Sequence, residues 1–112
     1  MIEIQFTPEF KRNLRTLAKK YRHIRDDIDP VITALQAGEV LGDQMPGVGY
    51  TLFKVRVPNQ DRAKGKSGGY RIIYYLKTPT NIILVTIYSK TEQADISAAQ
   101  IRRIVGEFQT GE

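Results

Sequence analysis

Three strand-like stretches follow one another in the second half of the chain, at about residues 51–57, 69–77 and 81–89. Each is rich in β-branched and aromatic residues, and each can be sorted into two alternating sets, the period of a strand. Thr78-Pro79-Thr80-Asn81 separates the last two and has the composition of a tight turn. Strands joined by so short a connection pair antiparallel, because a parallel pair needs a crossover of a dozen residues or more. This block therefore predicts a sheet, and the rest of the chain must pack against it.

The first half supplies the packing. Ile2, Ile4 and Phe6 alternate with polar residues and predict a short strand. Thr7-Pro8-Glu9 reads as a helix start: a capping hydroxyl, a proline at the first helical position and an acid at the positive helix end. Phe10, Leu14, Leu17, Ala18 and Tyr21 follow at helical spacing. A second helix carries Ile24, Ile28, Val31, Ile32 and Leu35 and ends near Gly38, with Pro30 either restarting or kinking it. The two form a hairpin around Arg22-His23. Gly38 to Gly49, with Gly42, Pro46 and Gly47, predicts a loop. Ser97 caps a last helix over about 97–108, with Ile101, Ile104, Val105 and Phe108 on one side. The order β-α-α-β-β-β-α predicts an α+β fold: a small four-stranded antiparallel sheet with the helices on one face, a helical hairpin and a C-terminal helix.

A chain of 112 residues is the size of one domain, expected over 1–112. No apolar run approaches the ~20 residues of a membrane span, and the N-terminus lacks the basic start and apolar stretch of a signal peptide. The absence of cysteine removes disulfides, thiolate zinc sites and a thiol nucleophile, and fits the cytoplasm. Positive charge is concentrated. Residues 54–77 carry +6 where the whole chain carries +5, so the remainder sums to −1. A charge so localised points to a polyanion partner.

Alternation refines the location. Leu52, Lys54 and Arg56 share one strand face; Arg71, Ile73, Tyr75 and Lys77 share another. In the last strand Ile83, Val85 and Ile87 form one set, and Ile82, Leu84, Thr86, Tyr88 and Lys90 the other. If Lys54, Arg56, Arg71, Tyr88 and Lys90 share a face, it is cationic with aromatic interleaving, suited to phosphates and unpaired bases. Solvated lysines and arginines on an open sheet face are the bland alternative. The loop Arg62-Ala63-Lys64-Gly65-Lys66-Ser67 contains Gly-Lys-Ser but is no P-loop: Gln60 stands where the first glycine belongs, and a strand follows where a helix should. His23, the one histidine, reads as structural or exposed, and with no cysteine it makes a zinc site implausible. Glu92 and Asp95 follow Lys90. Glu92 keeps the parity of Tyr88 and Lys90, as a base or an electrostatic partner, or it lies in the turn before the last helix as a solvated acid.

Phe53-Lys54-Val55-Arg56, then Gly65-Lys66-Ser67-Gly68-Gly69-Tyr70-Arg71-Ile72-Ile73-Tyr74-Tyr75, then Ile87-Tyr88-Ser89-Lys90-Thr91-Glu92-Gln93-Ala94-Asp95-Ile96-Ser97 resemble the RelE/ParE superfamily of type II toxins, closest to the HigB-type branch. The resemblance implies a ribosome-dependent mRNA endonuclease in which the RNA 2′-OH attacks the adjacent phosphate, without metal or other cofactor. It implies phosphate binding or activation by Lys54 and Arg56 and transition-state stabilisation by Arg71. Where some family members carry an arginine and a tyrosine, this chain has Thr91 and Ser97, so Tyr88, Lys90 and Glu92 are the expected proton-transfer candidates. Arg62, Lys64, Lys66 and Tyr75 are expected RNA contacts. The implied partners are a cognate antitoxin with a helix-turn-helix DNA-binding domain, the ribosome and mRNA, and no membrane. A ParE-like gyrase poison and a non-catalytic basic binding module are the alternatives.

Overall fold

A computed structural model describes residues 2–46, 48–62 and 69–110, the side chain of Arg62 excepted. Five strands and three helices follow in order: β1 (Glu3–Phe6), α1 (Pro8–Lys20), α2 (Ile24–Gln36), β2 (Asp43–Met45), β3 (Leu52–Val57), β4 (Tyr70–Thr78), β5 (Asn81–Ser89) and α3 (Ala98–Thr110), with a 3₁₀ turn at Gln60–Arg62 after β3. The fold is α+β, as expected, but the sheet is five-stranded and mixed, in the order β1-β5-β4-β3-β2. β1 lies parallel to β5; every other pair is antiparallel. The expected four-stranded antiparallel sheet is corrected on both counts. β2 falls within the glycine-rich stretch expected to be a loop, and it pairs Asp43 with Lys54. Gly42 makes that approach possible. Its φ is +81°, and a Cβ there would sit 2.3 Å from the Lys54 carbonyl oxygen, where only glycine fits.

The helices divide between the two faces, contrary to the single covered face expected. Phe10, Leu17, Ile24, Ile28, Val31 and Leu35 of the hairpin pack on Val55, Val57, Tyr70, Ile72, Tyr74, Ile82, Leu84 and Ile87. Ile101, Ile104 and Val105 of α3 pack on the other face, against Leu52, Ile73, Ile83, Val85 and Tyr88. The caps form as the sequence predicts. Thr7 Oγ1 accepts from Phe10 N at 3.0 Å, and Ser97 Oγ accepts from Gln100 N at 3.1 Å. α2 continues through Pro30, with Ile28 and Val31 buried on either side of it. It ends in a Schellman closure, Glu39 N to Ala34 O at 3.1 Å and Gly38 N to Leu35 O at 3.0 Å.

β5 departs from simple alternation. Ile73 faces Thr86, but the next residue, Tyr74, faces Leu84. Val85 is therefore an extra residue, a β-bulge. It breaks the parity read from sequence: Ile87 joins Ile82 and Leu84 under the hairpin, while Tyr88 joins Ile83 and Val85 on the α3 face. The start of α1 holds the bulge. Thr7 is fully buried; its hydroxyl donates to Val85 O at 2.7 Å and its N–H to Leu84 O at 3.2 Å. Asn13 Nδ2 donates to Ile87 O at 3.3 Å and to Thr86 Oγ1 at 3.1 Å. Carbonyls that β1 is too short to reach are thus met by side chains.

Candidate active site

Strand register brings the sequence-predicted cations together on the face that α3 partly covers. Arg56 stands directly opposite Arg71, and Arg71 directly opposite Tyr88. One row across three strands therefore reads Arg-Arg-Tyr. Lys54 lies one step along the same face, opposite Ile73. Directly opposed residues have Cβ atoms about 5 Å apart, and two like charges there repel. An anion bound between the two would relieve that repulsion.

The row is graded in burial. Arg56 is exposed, Arg71 is only 9% exposed and Tyr88 only 5%. Arg71 Nη1 donates to the carbonyl of Tyr70 at 3.2 Å, which directs the guanidinium along the sheet. Lys54 keeps 29% of its side chain accessible.

Asp95, in the loop between β5 and α3, completes the cluster. Its Oδ1 accepts from Lys54 Nζ at 2.9 Å, Tyr88 Oη at 3.2 Å and Ile96 N at 2.8 Å. Lys54, followed by the Ile96 amide, holds the Asp95 carboxyl below the usual carboxylate range, so it is ionised at neutral pH. Burial, reinforced by the charge of Asp95, pushes the Tyr88 phenol up to about 12, so it keeps its proton.

The other expected residues lie elsewhere. Lys90 follows the end of β5 and donates to its own loop, Nζ to Ala94 O at 2.7 Å. Glu92 sits in that turn, as the alternative reading of it had it, and faces α1: its Oε2 accepts from Lys20 Nζ at 2.8 Å and Tyr21 Oη at 3.2 Å. Of the two acids after Lys90, Asp95 is the one that accepts from Lys54 and Tyr88. Tyr75 shares the face of Arg71 but packs edge-on against Tyr50, ring centroids 5.1 Å apart. It lies four residues up the strand from Arg71, about 13 Å at the rise of a strand. Lys64 and Lys66 lie outside the described residues, as does the side chain of Arg62.

His23 has a partner that spacing along the chain does not reveal. Asp61, in the 3₁₀ turn after β3, accepts from His23 N at 2.9 Å and lies 2.8 Å from its Nδ1. Asp27 in turn accepts from Gln60 N at 3.2 Å and Gln60 Nε2 at 2.7 Å. Each segment caps the other. Hydrogen bonding to Asp61 raises the His23 pKa, and hydrogen bonding to His23 lowers that of Asp61. Among the described residues no group of three or more His, Cys, Asp or Glu could hold a metal ion, and no helix is long and apolar enough to cross a membrane.

Asp95 is the one residue of the cluster that sequence did not single out. Its signal was weak: an acid shortly after Lys90, outside any strand, where parity says nothing. The sequence pattern of a family described as the RelE toxin of the RelE / RelB toxin-antitoxin system matches residues 9–106, which span α1 through most of α3 and every residue of the cluster. The chain belongs to the RelE toxin family.

Proposed function

We propose that residues 1–112 form a single toxin domain acting in the cytoplasm as a ribosome-dependent, metal-independent mRNA endonuclease, held in check by a cognate antitoxin with a helix-turn-helix DNA-binding domain. The observation that carries this reading is the direct opposition of Arg56 and Arg71 beside Lys54 and Tyr88. In the reaction the 2′-OH oxygen attacks the adjacent phosphorus and gives its proton to a solvent water. The P–O5′ bond breaks, and a 2′,3′-cyclic phosphate and a 5′-OH form. Negative charge grows on the non-bridging oxygens, where Arg56 and Arg71 stabilise it. Lys54 binds the phosphate from the neighbouring row. Tyr88, protonated at neutral pH, delivers a proton to the departing 5′ oxygen. Lys90 and Glu92, engaged with the loop and α1, shape the wall behind Tyr88 and take no proton in this scheme.

Induced expression with mapping of mRNA 5′ ends tests the reading. The wild-type chain should arrest growth and cut ribosome-bound messages. Arg71→Ala should abolish both, with cleavage by purified protein reduced about 10²–10³-fold, the usual cost of losing one charge-stabilising donor. Full toxicity of Arg71→Ala would sink the site assignment, and gyrase-linked DNA breaks without mRNA cleavage would replace the endonuclease by a gyrase poison.

A further inference from the structure

Asp95 stands where a substrate should. A carboxylate oxygen that collects an ammonium, a phenol and a backbone amide occupies the position of a phosphoryl oxygen. Its donors come from three elements: Lys54 from β3, Tyr88 from β5 and Ile96 from the loop itself. The side chain is 64% exposed, so no packing locks it in place. It lies beside the Arg56–Arg71 row, where charge repulsion already favours an anion.

We propose that Asp95 is an internal stand-in for a phosphodiester group, occupying Lys54 and Tyr88 in the free protein and giving way when a single-stranded polynucleotide binds. The inference rests on the phosphate-binding reading of this face and adds a competitor to it. An exposed ion pair contributes little, so one carboxylate yields to a strand that engages Lys54, Arg56 and Arg71 at once. An isolated small anion lacks that advantage and leaves the pair intact. Asp95 then filters ligands by valence. It also keeps Lys54 and Tyr88 aimed at one point before the ligand arrives.

A 2′-O-methyl RNA oligonucleotide, which cannot be cleaved, provides the test by titration at fixed salt. Asp95→Asn preserves the shape of the side chain and an acceptor for the Ile96 amide. It should bind the oligonucleotide about two- to fivefold more tightly than wild type, the range spanned by exposed ion pairs. In a Lys54→Ala background the same substitution should change affinity by less than about 1.5-fold, since the contested cation is gone. Asp26→Asn, at an exposed position of α2, controls for net charge and should give no such gain. Weaker or unchanged binding by Asp95→Asn would overturn the proposal, as would a gain that persists without Lys54 or that Asp26→Asn reproduces. If the affinity pattern holds but no natural RNA is cut, the competitor stands and the endonuclease reading fails.

Discussion

A phenol that stays protonated at neutral pH can hand a proton to a leaving oxygen, which is the role the proposed reaction gives Tyr88. Burial raises its pKa to about 12, and Asp95 adds to the shift. Tyr88→Phe keeps the ring in the α3 core while removing the hydroxyl, so the fold should persist and cleavage should fall about 10²-fold or more. Single-turnover cleavage of ribosome-bound mRNA beside a far-UV CD spectrum checks both halves. His23 and Asp61 make a different residue-scale prediction. The His23 pKa is raised in the folded state, so its ionic contribution is fully present below the ordinary imidazole value and fades as pH rises through the raised one. Asp61 runs the other way: its pKa is lowered, so its share is lost as pH falls through that lowered value. The pair therefore supports the fold between the two values. Melting temperatures of wild type and His23→Gln should differ more below the ordinary imidazole value than at alkaline pH; a gap that widens with pH would contradict the pairing.

At the scale of elements, the bulge of β5 is where the start of α1 grips the sheet. Thr7→Val removes the hydroxyl that caps α1 and meets the Val85 carbonyl, at nearly constant shape. Loss of one buried hydrogen bond and one cap should cost about 2–3 kcal/mol in chemical denaturation, with Thr7→Ser recovering most of it. Gly42→Ala should cost at least about 1–2 kcal/mol, the strain of a left-handed residue, before the clash with the Lys54 carbonyl is counted. These elements also show what could be read in advance. Thr7, Ser97, the helical hairpin and β3 to β5 were legible because capping chemistry and apolar period are local signals. β2 was not: three residues among glycines carry no period, and they become a strand only because Gly42 lets them reach β3. Nor was the parallel place of β1, which rests on pairing with residues nearly eighty positions away. The bulge was hidden for a third reason, since an apolar run from Ile82 to Val85 reads the same in either phase. Asp95 was missed because its partners come from β3 and β5, and only the closed sheet brings them to one loop.

For the whole molecule, charge and topology agree. Residues 54–77 carry a net +6 against −1 elsewhere, and within them β3 and β4 deliver Lys54, Arg56 and Arg71 to one face. Association with a polyanion is then steered and salt-sensitive. For about four phosphate contacts at about 0.7 per contact on a single strand, raising salt from 50 to 200 mM should weaken oligonucleotide binding about 50-fold. A fluorescence anisotropy titration across that range checks it, and a flat response would remove the polyanion from the account. The phase of β5 has a genetic consequence as well. Removing the single codon for Val85 would keep the reading frame and, because β4 pairs on either side of that residue and not with it, would leave Tyr88 opposite Arg71. A toxin gene could thus lose three nucleotides there and keep its basic row, giving up instead the carbonyl by which the sheet holds the first turn of α1.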